Sequence, residues 1–371
     1  PVLCSPGGGG FAMVREPGHA EVSFLDFFPQ TPAERRADGA DEVREIHADF
    51  GTATQAFHIG PGTTAAPGFF AGMEALHERG AQLPLGELFA PAVDAARQGV
   101  IVTPFQHYLG TVVRPILTAT PAAKALYAPH GDVLAAGNTF TNPGLADALE
   151  VLATEGFATS EVGAALLALQ DAGGHLTADD LQSYRAVERT PTTVRVGETR
   201  VFLNPPPAAS GTLIAHSLEQ IRAAEPVTIA QAFAATDQAR RTRRDRLAHI
   251  DPATLRQRGT THISVIDDQG RACAVTTSNG SGNGEVAGRF GFMPNNILGE
   301  DDVNPGGRTA WPTATRLSSG MCPTLLEGDD GSLTVLGSGG SNRIRTAIAQ
   351  VIVQLCLRGT ELDDAITAPR L

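Results

Sequence analysis

Short apolar runs bounded by turn residues mark both ends of the chain, while its middle repeats apolar positions every three to four residues. Gly10–Val14 and Ala20–Leu25 read as two strands around the turn Glu16-Pro17-Gly18. From about residue 65 to 185 the period is helical, clearest in Pro84–Ala96, Leu145–Leu152 and Val162–Leu169. Thr177 with an acid three residues later predicts a capped helix start. Strands return at Thr193–Val196 and Arg200–Leu203, and Pro205-Pro206-Pro207 must then leave any helix or central strand. Helices are predicted for Gly211–Ile221 and for Ile229–Asp245. Strands follow at Thr261–Asp267, Arg271–Thr277, Pro323–Leu326 and Leu333–Leu336, and the helix Ile344–Leu357 closes the pattern. Asp267 and Asp268 read as turn residues. Strand pairs at both ends with helices between them predict an α+β fold whose layers draw on distant parts of the chain.

Composition narrows the function classes. The 371 residues are 42% hydrophobic with 41 Gly and 25 Pro, the profile of a loop-rich globular protein. A formal net charge of -12 argues against nucleic acid as a partner. The cluster Arg240, Arg241, Arg243, Arg244 and Arg246 runs against that balance and reads as a solvated helix face. Cys4, Cys273, Cys322 and Cys356 show no pairing pattern and read as buried free thiols. Histidines lack ligand spacing, so neither a metal nor any other cofactor is expected. No apolar stretch approaches a membrane span. The abrupt opening PVLCSPGGGGF is expected to be a processed or incomplete start, leaving cytoplasmic and exported destinations both open.

The segment Gly259-Thr260-Thr261-His262-Ile263-Ser264-Val265 carries the chemistry. A threonine hydroxyl needs a base to attack a carbonyl, and an N-terminal threonine holds one in its own α-amine. That amine titrates at about 7.7–8.0, so a useful fraction is neutral. The argument therefore requires cleavage between Gly259 and Thr260, dividing the chain into 1–259 and 260–371. A second feature, Gly337-Ser338-Gly339-Gly340-Ser341-Asn342-Arg343-Ile344, lies between a predicted strand and helix. Its glycine amides can approach an oxyanion closely, with the helix dipole adding to the effect. His262 reads as a hydrogen-bonded core or pocket-wall residue rather than a base.

These segments resemble the γ-glutamyltransferase (γ-glutamyltranspeptidase) family. Thr260-Thr-His-Ile-Ser-Val matches its TTHxSV start of the small subunit. Leu317–Thr324 resembles LSSMxPT with one residue inserted, and Gly337–Ile344 resembles GSPGGSRI. Gly8–Phe11, Leu25–Phe27, Pro67–Gly72, Leu83–Gly99, Gly173–Tyr184 and Pro205–Gly211 find counterparts in family order. The resemblance implies a four-layer αββα sandwich of the N-terminal-nucleophile hydrolase type, an autocatalytic precursor and an acyl-enzyme. It makes 1–259 a large-subunit portion and 260–371 a small-subunit portion of one intertwined domain, with a dimer of such pairs left open. Thr260 is the implied nucleophile, and Ser278 takes the place of a second Thr that bonds its amine. Gly339 and Gly340 are the implied oxyanion hole, or Ser341 in their place. Glu300, Ser318 and Ser319 are implied substrate contacts.

The departures concern the substrate. The family reads DFRE where this chain has Asp26-Phe27-Phe28-Pro29, so Phe28 replaces the arginine that clamps the glutamyl carboxylate. A phenyl ring cannot replace a bidentate charged pair. Gly280 stands for a family Asn and Ile297 for a Gln. The implied activity is a self-processing γ-glutamyl amidase or transferase acting on a small-molecule amide. The alternatives are a cephalosporin-acylase-like enzyme for a non-glutamyl amide, or an unprocessed scaffold protein.

Overall fold

The structure is a computed structural model that describes residues 4–18, 21–37, 41–49, 54–222, 260–300, 303–304, 307, 310–340 and 343–370. The helix predicted at Ile229–Asp245, the arginine cluster within 240–246, and Gly259, Ser341 and Asn342 lie outside the described residues.

Strands β1 (Gly9–Arg15) and β2 (Val22–Phe27) open the chain. Next come two antiparallel pairs, β3 (Arg44–Asp49) with β4 (Thr54–Ile59), and β5 (Val100–Ile101) with β6 (Thr139–Phe140). After a helical stretch come β7 (Val187–Arg189), β8 (Thr192–Val196) and β9 (Thr199–Leu203). The last strands are β10 (Thr261–Ile266), β11 (Ala272–Ser278), β12 (Thr324–Gly328) and β13 (Leu333–Leu336). The fold class is α+β, as the pattern predicts.

The chain divides into two compact units, each assembled from three segments. The first comprises 1–9, 27–186 and 278–316. Three of its helices begin where the sequence supplies both a cap and a pre-set dihedral. Thr103-Pro104, Thr120-Pro121 and Asn142-Pro143 each place a side-chain acceptor at the N-cap and a proline in the first turn. The cap oxygens accept from the amides of Gln106 (3.2 Å), Ala123 (3.3 Å) and Leu145 (3.0 Å). Thr177 and Asp180 form the predicted capping box at the start of Ala178–Ser183. Ile59, Ile116, Leu117 and Met293 centre one apolar cluster of this unit, and Phe70, Leu152, Val162 and Phe292 another.

The second unit comprises 10–26, 187–277 and 317–371 and holds both larger sheets. One has the order β10-β11-β1-β2-β7, the other β13-β12-β9-β8. β1 is buried at every position up to Val14, because it sits in the middle of its sheet with both faces covered. Phe11 and Phe24 stack across β1 and β2 with ring centroids 5.4 Å apart. The helices Ala209–Arg222 and Ile344–Arg358 pack against each other, the first also against β8 and β9. Gly359, left-handed at φ 62°, ends the second helix. β10 is an edge strand among the described residues, and it exposes Ile263 (56%) and Val265 (54%).

Candidate active site

Thr260 directly precedes β10 and is half-buried. The antiparallel register sets Thr261 opposite Thr277 and His262 opposite Thr276. β11 ends at Ser278, which is buried and whose Oγ accepts from the Gly280 amide at 3.0 Å.

The glycine-rich segment leaves β13 and packs on the start of β10. A β-carbon built on Gly339 would lie 2.9 Å from the Thr260 carbonyl oxygen and 3.5 Å from the Thr260 β-carbon. A glycine there lets the loop backbone lie directly on the threonine. A β-carbon on Gly337 would lie 2.3 Å from Cε1 and Nδ1 of the His262 ring. The carbonyl of Gly340 accepts from the Arg343 amide at 3.2 Å, which leads into the helix Ile344–Arg358. The loop thus approaches a helix N-terminus, where backbone N–H groups and the dipole favour negative charge.

His262 sits within this corner but has no free basic nitrogen. Nδ1 pairs with Thr276 Oγ1 at 2.7 Å and Nε2 with Ser264 Oγ at 2.9 Å. Burial pushes its pKa down to about 4, so the ring is neutral at neutral pH. Cys322 is also removed as a rival nucleophile. It is buried and its thiol is pushed up to about 11, leaving it protonated.

Ser318 and Ser319 lie on a bend of the second unit that residues 204–210 hold in place. Asn204 Nδ2 donates to the Met321 carbonyl at 2.8 Å, Ser210 Oγ to that of Gly320 at 2.6 Å, and the Ala209 amide to that of Ser319 at 3.2 Å. Ser319 is buried, with its Oγ accepting from the Met321 amide at 3.2 Å, whereas Ser318 is half-buried.

Glu300, in the first unit, is 3% exposed and follows the tight turn Ile297–Gly299. Asn304 fixes that turn: its Nδ2 lies 2.7, 3.2 and 3.3 Å from the carbonyl oxygens of Ile297, Leu298 and Glu300. The Asn304 amide donates to the Glu300 carbonyl at 2.9 Å. Gly280 faces the same turn. A β-carbon there would lie 2.3 Å from Asn296 Oδ1 and 3.1 Å from Glu300 Oε1, so an asparagine in its place would collide. Phe28 is 2% exposed, and its carbonyl accepts from the Tyr184 hydroxyl at 2.8 Å.

Thr260, Gly339, Gly340, Ser318 and Ser319 therefore belong to the second unit, and Phe28, Ser278 and Glu300 to the first. Within the second unit Thr260 and Gly339 meet; within the first, Gly280 and Glu300 meet. Sequence reasoning missed the contact between His262 and Gly337, and it missed Asn304 altogether. Only proximity of His262 to Thr260 in the chain could have drawn attention to the first. Asn304 carries no signal, because it works on backbone carbonyls. Among the described residues no cluster could hold a metal ion, and no helix is long and apolar enough to cross a membrane.

The chain as a whole is similar to known proteins. A family model described as gamma-glutamyltranspeptidase matches residues 1–226 and 222–371. Glutathione hydrolase proenzyme of Escherichia coli K12 is 27% identical over 98% of this chain and 72% of its own length. Acylase ACY 1 proenzyme of Pseudomonas sp. strain V22 is 26% identical over 100% of this chain and 75% of its own. The crystal structure of cephalosporin acylase from Bacillus halodurans superposes with a TM-score of 0.79 at 21% identity, covering 100% of this chain and 75% of that one. Helicobacter pylori gamma-glutamyltranspeptidase superposes over 64% of this chain and 70% of its own, with a TM-score of 0.55 at 23% identity. These likenesses show that the chain shares the α+β fold of those structures.

Proposed function

This chain belongs to the gamma-glutamyltranspeptidase family of amide hydrolases and acylases, and from that premise we propose that Thr260 is its self-released nucleophile. Cleavage of the Gly259–Thr260 bond gives the portions 1–259 and 260–371 and frees the α-amine of Thr260. The packing of Gly339 on Thr260 carries this reading, because it sets a backbone-lined loop beside the hydroxyl-bearing residue. The description of relatives as proenzymes supports it.

In the proposed reaction the α-amine accepts the Thr260 hydroxyl proton as Oγ attacks the amide carbonyl. The loop at Gly339 and Gly340 stabilises the tetrahedral oxyanion. The leaving amine takes the proton as the C–N bond breaks, leaving an ester on Thr260. Water, or a second amine, then attacks that ester and regenerates the hydroxyl. The family resemblance assigns Ser278 to the α-amine, and Glu300, Ser318 and Ser319 to the substrate.

The buried Phe28, the crowded Gly280 and Ile297 favour a non-glutamyl acyl group over a glutamyl one. No cation stands at position 28 to pair with an α-carboxylate. The test is a denaturing gel of purified protein with N-terminal sequencing of the smaller band and a Thr260→Ala control. A band beginning at Thr260, absent from the control, is expected; an intact wild-type chain would remove the catalytic amine and leave a scaffold role. Turnover of a glutamyl anilide against an apolar acyl anilide then decides the substrate class.

A further inference from the structure

We propose that His262 is a positioning residue whose ring sets the height of the Gly337–Gly340 loop above the strand that follows Thr260. The inference rests on the loop acting as the oxyanion site, as argued above. Four contacts within the second unit carry it. The ring lies under Gly337, so close that an added β-carbon would sit 2.3 Å from two of its atoms. Both ring nitrogens are held by hydroxyls, Thr276 Oγ1 on β11 and Ser264 Oγ on β10, so the ring cannot rotate without losing a hydrogen bond. Two residues back in the chain, just before β10, the carbonyl oxygen and β-carbon of Thr260 support Gly339. Gly339 rests on Thr260 and Gly337 on the His262 ring, so the two residues form two supports under one loop.

The arrangement explains why a histidine here need not act as an acid or base. A flat ring wedged between β10 and the loop fills the space that a side chain on Gly337 would otherwise occupy. Removing the ring leaves the loop unsupported at one end. The amides of Gly339 and Gly340 then sample positions displaced from the oxyanion, and loop displacement costs turnover more than substrate affinity.

Two linked measurements test this. In the first, hydrogen exchange is followed in the uncut Thr260→Ala chain with and without His262→Ala. Faster exchange of the amides at 338–340, with those of β11 and β12 unchanged, is expected. In the second, turnover is measured for the His262→Ala, Gly337→Ala and doubly substituted enzymes. His262→Ala should lower kcat by roughly tenfold to a hundredfold, with KM changed by less than about threefold. Gly337→Ala alone should be worse, and the double variant should recover at least about tenfold over it, because the vacated ring space takes the methyl group. Unchanged exchange at 338–340, or a double variant no better than Gly337→Ala, would overturn the proposal. If the wild type shows no turnover, the hydrolase reading fails, and the exchange experiment still decides whether His262 positions the loop.

Discussion

The carbonyl oxygen of Thr260 lies 2.9 Å from the point where a β-carbon on Gly339 would stand. Contact that close makes the loop and the threonine one packed object, so a single methyl group at 339 must push them apart. Gly339→Ala is expected to lower the rate of self-cleavage and of turnover by at least about a hundredfold, the scale of losing one oxyanion donor. Fragment formation against time on a gel, with Ser338→Ala as the control, measures it. Normal processing in Gly339→Ala would sink the assignment of this loop.

Asn304 places a single amide nitrogen against three carbonyls of the turn that carries Glu300. Asn304→Ala leaves buried acceptors without a donor and is expected to cost about 1–3 kcal/mol. Asn304→Asp turns the donor into a charge facing those acceptors and should cost more. Thermal denaturation orders the two. If Glu300 holds substrate, KM rises in both variants while kcat changes little; an unchanged KM would detach Glu300 from binding.

His262 has a folded-state pKa of about 4 against an ordinary value of 6.5. Below 6.5 the unfolded chain takes up a proton that the folded chain refuses, so the unfolded state binds more protons across that window. Stability tied to His262 is therefore complete above about pH 6.5 and declines as pH falls towards 4. Melting temperature against pH should show a shallower acid decline in His262→Gln than in the wild type. Parallel curves between pH 4 and 6.5 would refute the buried, neutral imidazole.

Phe28 is almost wholly buried. Phe28→Arg would therefore bury a cation rather than restore a carboxylate clamp, and a loss of several kcal/mol is expected from an unpaired buried charge. The readouts are melting temperature and glutamyl anilide turnover. A variant that kept its stability and gained glutamyl turnover would show that the clamp site persists and that only its arginine is missing.

Much of the fold is legible because local rules and packing agree. Thr177 and Asp180 announce their capping box, and the strand pair β8–β9 and the helix Ile344–Arg358 appear within a residue or two of the predicted limits. Other elements leave no such trace. β3 reads Arg-Glu-Ile-His-Ala-Asp, too charged for an apolar run, and it is a strand because it pairs along its whole length with β4. β5 and β6 are two residues each, and β7 three, too short to show a period. At the site, Thr260 and the glycine loop stand out as motifs. Their mutual contact does not, since it depends on how β10 and β13 are brought together.

Both compact units draw chain from before and after residue 260. In the second, β11 lies against β1 and β12 against β9, each pair joining a strand from one side of the proposed cut to a strand from the other. Severing the Gly259–Thr260 bond would thus be a covalent event without a topological one: each piece is the other's missing middle. Neither portion holds a complete copy of either larger sheet, so expressing 1–259 and 260–371 separately is expected to yield two chains that must find each other before either sheet can form. The cut proposed to release the nucleophile would leave the strand pairs β11–β1 and β12–β9 to hold the two portions together.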